Sequence, residues 1–328
     1  LASLAGFSVD FFLMGFAQNI LWLFIGRSIA GALGAIFGPA NAVMADISSA
    51  QDRAKRFGMV GAAFGIGFMV GPALGGLLGD IGTRVPFFVA AALAACVFVY
   101  GLVAFPETMP ASSRRTFSLR RANPVGALLS LKRLPGVLGI AAIYFIWVTS
   151  TNIYPVSWAY FAPIKFGWDS KMVGLSLTLV GISMALVQML VLGRVVNRWG
   201  ERGAAIIGLS SATLSMLFYA FTNSAVLTLA VCLIVGIQGM VMPSVNAMMS
   251  QRTPVDSQGE LQGFNGSLAA LAALAAPLIY NTTLSYFTAT DAAVHFPGAP
   301  FIVSAALAVI ALVSVIRLNT TTVPSSQS

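Results

Sequence analysis

The chain has 328 residues, of which only 9% are Asp, Glu, Lys or Arg and 58% are hydrophobic, whereas a soluble protein carries about 25% charged residues. With a mean hydropathy of +0.87, the apolar material exceeds what a water-soluble core holds and must face lipid, which excludes cytosolic enzymes, disordered chains and secreted disulfide scaffolds. The net charge of +8 would suggest nucleic acid in a soluble protein, but here it follows from where membrane proteins keep Lys and Arg, so no nucleic-acid partner is expected.

A spanning helix needs about 20 mostly apolar residues. Such windows fall near 1–18, 20–46, 57–79, 85–105, 135–161, 170–193, 203–222, 224–249, 259–287 and 297–317, which makes ten spans. They are continuously apolar, without the period of two of a barrel strand, so the fold class is an all-α polytopic membrane protein. Asp10 lies in the first span and Arg27 in the second. At about 1.5 Å per residue both sit roughly 10 to 12 Å below the outer ends of their helices, so their depths match. A charge inside the membrane costs at least about 2.5 to 3.5 kcal/mol and marks either a structural ion pair or a proton- or substrate-sensing site. The second span also carries Asn41 and ends at Asp46, followed by Asp52, Arg53, Lys55 and Arg56.

The third span reads Gly67-x-x-x-Gly71-Pro72-x-x-Gly75-Gly76. Small residues four apart line one face and allow a close helix approach, while Pro72 removes a backbone donor. Residues 106–134 form the longest polar interruption and carry Arg114, Arg115, Arg120, Arg121, Lys132 and Arg133. They read as a basic cytoplasmic linker between a four-helix bundle at 1–105 and a six-helix bundle at 135–317, with a tail at 318–328. In the fifth span Tyr144, Trp147, Thr151, Tyr154 and Trp158 share one face. Trp158 is expected in an interfacial belt, and Tyr144 and Trp147 deeper, where aromatic walls suit flat or cationic ligands.

Gly193-x-x-x-Asn197-Arg198-x-Gly200-Glu201-Arg202 joins the sixth and seventh spans. Its glycines allow a tight turn, and its arginines suit helix C-terminal carbonyls or carboxylates, a latch. Amides at Gln238, Asn246, Gln262 and Asn265 need partners or water in lipid, and Gln238, Asn246 and Gln262 are candidate cavity residues along with Asn41. The alternate loops hold Arg53, Lys55, Arg56, Arg194, Arg198, Arg202, Arg252, Arg317 and the linker cluster on one side, against Arg84, Lys165 and Lys171 on the other. Both termini are therefore expected in the cytoplasm of a cell inner membrane. No metal cluster, cofactor motif or phosphate loop is read, so neither an enzyme nor a primary pump is expected.

Sliding the chain by 205 residues matches Gly31 with Gly236, Asn41 with Asn246, Gly58 with Gly263 and Pro72 with Pro277. That shift is six helices, an even number, so the halves are expected to be parallel repeats of a secondary transporter. It places the partners of the fifth span and of the Gly193 loop before Leu1, which predicts about 70 preceding residues with two more spans, twelve in all.

The Gly-Pro pattern resembles the fifth-helix motif of proton-coupled drug antiporters of the major facilitator superfamily, and the Gly193 loop is similar to that superfamily's loop between the second and third helices of a half. Val9-Asp10, Gly26-Arg27, Ala45-Asp46, Phe166-Gly167-Trp168 and Gln258-Gly259-Glu260-Leu261-Gln262-Gly263 resemble the tetracycline-efflux branch. The resemblance implies a major-facilitator fold with ten of twelve helices present. It further implies proton-coupled antiport of a lipophilic or amphiphilic small molecule by alternating access, with no oligomer required. Arg27 would serve in proton coupling and Asp46 would pair with a basic loop residue. Met184 and Leu209 stand where that branch carries His and Asp, which leaves tetracycline itself open. A facilitator or symporter for a polar metabolite, or a non-transporting receptor or scaffold, is the alternative.

Overall fold

The computed structural model describes residues 1–34, 40, 43, 53–104, 137–253 and 258–318, without side chains at 53–62, 64, 65, 68, 69 and 258–260. The described residues form helices α1 (Ala2–Phe16), α2 (Ile20–Leu33), α3 (Arg53–Ile81), α4 (Val85–Ala104), α5 (Val137–Thr151), α6 (Ile153–Phe166), α7 (Ser170–Leu186), α8 (Leu192–Phe221), α9 (Ala225–Cys232), α10 (Val241–Ser250), α11 (Gln258–Thr288) and α12 (Ala299–Arg317). A π-turn at Val187–Val191 links α7 to α8, and a 3-10 stretch at Val235–Met240 precedes α10. No strand occurs among the described residues.

Among the described residues six helical runs are long and apolar enough to cross a membrane: Val85–Ala104, Val137–Phe166, Ser170–Phe221, Ala225–Ser250, Leu261–Thr288 and Ala299–Arg317. The run Ser170–Phe221 has 52 residues, about 78 Å if straight and more than twice the hydrocarbon thickness. It reverses at Gly200, whose φ of 68° and ψ of 177° break the helix, so it supplies two spans. With α1, α2 and α3, each expected span coincides with helix among the described residues. The expected linker at 106–134 lies outside them.

Two breaks inside spans escaped the apolar windows. Pro155 lacks an N–H and its ring collides with the carbonyl four residues back, at Thr151, where α5 gives way to α6. One turn before that break, Val148 O accepts from both the side chain of Asn152, at 2.7 Å, and its backbone N–H, at 3.1 Å. The other break is the 3-10 stretch ahead of α10, where Gly236 N donates to Ser183 Oγ at 3.1 Å.

The chain divides into two compact units, Leu1–Phe117 with Ser170–Thr178, and Ser118–Asp169 with Leu179–Ser328. In the first, α1 packs between α2 and α4. Phe12 and Phe16 meet Phe88 edge-on, and Ser8 Oγ donates to Ala91 O at 3.1 Å. In the second, α8 packs on α12 and α12 on α5. Its core is an aromatic cluster of Tyr154, Trp158, Phe161, Tyr219 and Phe301. Trp158 is 1% exposed, which overturns its expected place in an interfacial belt: it sits on the inward face of α6, where its ring packs against five aromatic neighbours. Ser150 Oγ donates to Ser304 O at 3.0 Å and Ser304 Oγ to Ser150 O at 2.9 Å. These reciprocal bonds tie α5 to α12 where the alternative is an unsatisfied hydroxyl in hydrocarbon.

Candidate functional site

In unit 1, Asn19 caps α2, accepting from Leu21 N at 3.1 Å and Trp22 N at 3.4 Å, and the short turn from α1 makes the two helices antiparallel neighbours. That turn sets Asp10 opposite Arg27. Arg27 Nε donates to Asp10 Oδ1 at 3.2 Å and Nη2 donates to Oδ2, a two-point engagement that uses the guanidinium fork. The Asp10 side chain is 0% exposed while that of Arg27 is 52% exposed. Arg27 also lies over the Phe11 ring at 5.8 Å. Gly26 is the residue that admits this geometry, because a Cβ there would stand 2.8 Å from Asp10 Oδ1.

The Gly-Pro helix α3 makes its close approach at one place. A Cβ on Gly76 would stand 2.8 Å from Ser170 O, and one on Gly174 would stand 2.6 Å from Pro72 O and 3.0 Å from Gly76 Cα. The first two turns of α7 belong to unit 1 with α3. Gly67, Gly71 and Gly75 have no neighbour within 4 Å of such an atom, so only the end of the small-residue face is in tight contact among the described residues. One turn beyond Gly76, Asp80 Oδ2 pairs with Lys171 Nζ at 2.5 Å. Sequence reading missed this pair: the two residues are far apart in the chain, and nothing local marks them.

In unit 2 the Gly193 loop does engage helix carbonyls, through Arg202. Its Nε donates to Val315 O at 3.2 Å and its Nη2 to Ile316 O at 2.5 Å, so a cation satisfies the open carbonyls at the end of α12. Gln251 Nε2 donates to Glu201 at 3.1 Å. Arg198 instead stacks on Trp199 at 5.2 Å, Asn197 is exposed, and Gly193 has open space around it. Gly200, Glu201, Arg202, Met248, Gln251, Arg252 and Leu318 enclose a cavity of about 180 Å³. The backbone of Gly200 is in a region open essentially to glycine alone. Gly200→Ala is therefore expected to cost about 1 to 3 kcal/mol and to release Arg202 from α12, read as a lower melting temperature of the detergent-solubilised protein.

The polar and aromatic candidates separate. Asn41 and Asp46 lie outside the described residues, and Arg53 opens α3 with its side chain undescribed. Tyr144 and Trp147 are buried in the unit 2 core. Gln238 is buried and accepts from Tyr154 OH at 3.5 Å. Asn246 accepts from Asn265 Nδ2 at 3.1 Å, and Gln262 is exposed. A residue not singled out, Lys165, donates from Nζ to Tyr219 O at 3.1 Å and to Ala220 O at 2.6 Å. It closes the end of α8 as Arg202 closes that of α12. The signal was available as a lone Lys at a span's end, beside Phe161 and Phe166.

The family model described as Major Facilitator Superfamily matches residues 1–277 and again 165–328. The tetracycline resistance protein, class C, of Escherichia coli is 34% identical over 313 residues, which are 95% of this chain and 77% of that protein. Multidrug resistance protein 2 of Bacillus subtilis (strain 168) is 26% identical over 89% of this chain and 72% of its own. The solved human organic anion transporter MFSD10 superposes with a TM-score of 0.70 at 22% identity, covering 95% of this chain and 75% of that one, a likeness of fold.

Proposed function

The chain belongs to the major facilitator superfamily, and we propose that it exports a lipophilic or amphiphilic small molecule, tetracycline-like compounds included, in exchange for protons. It is a multi-pass membrane transporter and not an enzyme. The exchange is the finer reading, and the observation that carries it is the Asp10–Arg27 pair. A fully buried carboxylate held at two points by a half-exposed guanidinium is a two-state element. Protonating Asp10, or drawing Arg27 to another anion, removes the attraction that joins α1 to α2. Alternating access would let that element meet protons on one side and substrate on the other, with both termini cytoplasmic.

Resistance to tetracycline and to several drugs in the named relatives supports export as the direction. Leu209 is wholly buried in α8, and Met184 lies within 3.3 Å of the space a Cβ on Gly239 would take. Both positions are apolar, so the substrate class is broader than a metal chelate needing His and Asp. Arg202 and Lys165, each binding the last carbonyls of a neighbouring helix, hold unit 2 as a rigid partner in such a cycle.

Adding tetracycline to energised vesicles that contain the protein is expected to release protons from the acidified lumen. A signal of opposite sign would make it a symporter, and none across a panel of lipophilic drugs would sink the reading.

A further inference from the structure

One groove of unit 2 contains none of the residues considered so far. Tyr160 and Ile164 of α6 face Asn281, Leu284, Ser285 and Thr288 of α11 around a volume of about 330 Å³, at the low end of small-molecule sites. The spacing is that of two helix faces, four residues apart on α6 and steps of three, one and three on α11. Ser157 Oγ donates to Asn281 Oδ1 at 2.9 Å and so fixes the amide, leaving its Nδ2 without a partner among the described residues. Tyr160 and Ser285 are exposed, and neither hydroxyl has a hydrogen-bond partner among the described residues. Thr288 by contrast spends its proton on Leu284 O at 2.8 Å.

Three uncommitted donors on one groove are costly against lipid tails, which accept nothing. The groove is therefore wet, and water there can be exchanged for a ligand. No charged side chain lines it, and the neighbouring cation, Lys165, is held by Tyr219 O and Ala220 O. An aromatic ring, two leucine-type side chains and three donors suit a flat polycyclic molecule rich in acceptor oxygens and without net charge. Resting on the export reading above, we propose that this groove is a substrate subsite at the end of unit 2 that carries Lys165 and Gly167, holding a tetracycline-type polycycle through Tyr160, Asn281 and Ser285. It is separate from Tyr144, Trp147, Gln238, Asn246 and Gln262.

The test places one cysteine at Ser285→Cys in the full protein after Cys96→Ser and Cys232→Ala, and follows its reaction with a membrane-impermeant methanethiosulfonate on intact cells. Leu214→Cys, at an exposed apolar position midway along the span 203–222, is the lipid-facing control. Ser285→Cys is expected to react well above the control, and tetracycline at about ten times its Kd is expected to slow the reaction about tenfold. Adding Asn281→Leu is expected to raise the half-protecting concentration about fivefold, the worth of one hydrogen bond. Reaction no faster than the control would overturn the wet groove, and fast reaction without protection would overturn the subsite. Protection in cells that do not export tetracycline would keep the subsite and refute export, so the two readings fail separately.

Discussion

Arg27→Ala is expected to abolish proton-coupled transport while the protein still reaches the membrane. The substitution leaves Asp10 wholly buried and without the two donors that now hold it, and removing one partner of a buried pair costs about 3 to 5 kcal/mol. With no guanidinium to engage and release, the pair no longer switches, so efflux in vesicles is expected to lose its dependence on the proton gradient, and the melting temperature to fall. Asp10→Asn is milder, because the amide oxygen can still accept from Arg27 Nε. A double neutralisation, Asp10→Asn with Arg27→Gln, separates the roles. Recovery of stability without recovery of coupling supports proton sensing, whereas recovery of both makes the pair merely structural.

The second large effect is expected at Gly174→Val. Its Cβ would stand 2.6 Å from Pro72 O and 3.0 Å from Gly76 Cα, and backbone atoms cannot turn aside as a side chain does. Overpacking costs about 1 to 3 kcal/mol, and separating the helices also strains the Asp80–Lys171 pair beyond the contact. Transport is expected to fall to background, measured as drug accumulation in expressing cells. Gly71→Ala is expected to be harmless or slightly stabilising, since its Cβ meets nothing within 4 Å and Ala is favoured over Gly in a helix by about 1 kcal/mol. Equal sensitivity at Gly71 and Gly174 would mean that the whole small-residue face matters, not its end.

The spans were legible because apolar runs of this length have one use, and the match of Asp10 with Arg27 followed from counting residues down two adjacent helices. Arg202 was legible too, as an arginine beside a tight turn, although which carbonyls it binds was not. The α5–α6 break at Pro155 was readable in principle, but a hydropathy window averages over a single missing N–H. What stayed hidden depends on separations across the fold. Nothing in the order of residues joins Asp80 to Lys171, Ser157 to Asn281, or Ser150 to Ser304. Trp158 was misplaced for a related reason: a tryptophan near a helix end suits a headgroup and a core equally well until its neighbours are known. On the glycine face of α3 periodicity marks a long seam, and among the described residues the tight contact is at its end, Gly76 against Ser170 and Gly174.

The aromatic cluster of unit 2 has an optical consequence. Of the five tryptophans, Trp147, Trp158, Trp168 and Trp199 belong to unit 2 and only Trp22 to unit 1. The first three are buried, and Trp158 meets Trp168 at 6.4 Å and Tyr219 at 5.1 Å between ring centroids, close enough for excitation to pass between rings. Ultraviolet emission from this protein is thus blue-shifted and reports chiefly on one of its two units. Loss of structure around α1 and α2 leaves that light almost unchanged, so it has to be followed by a probe placed there.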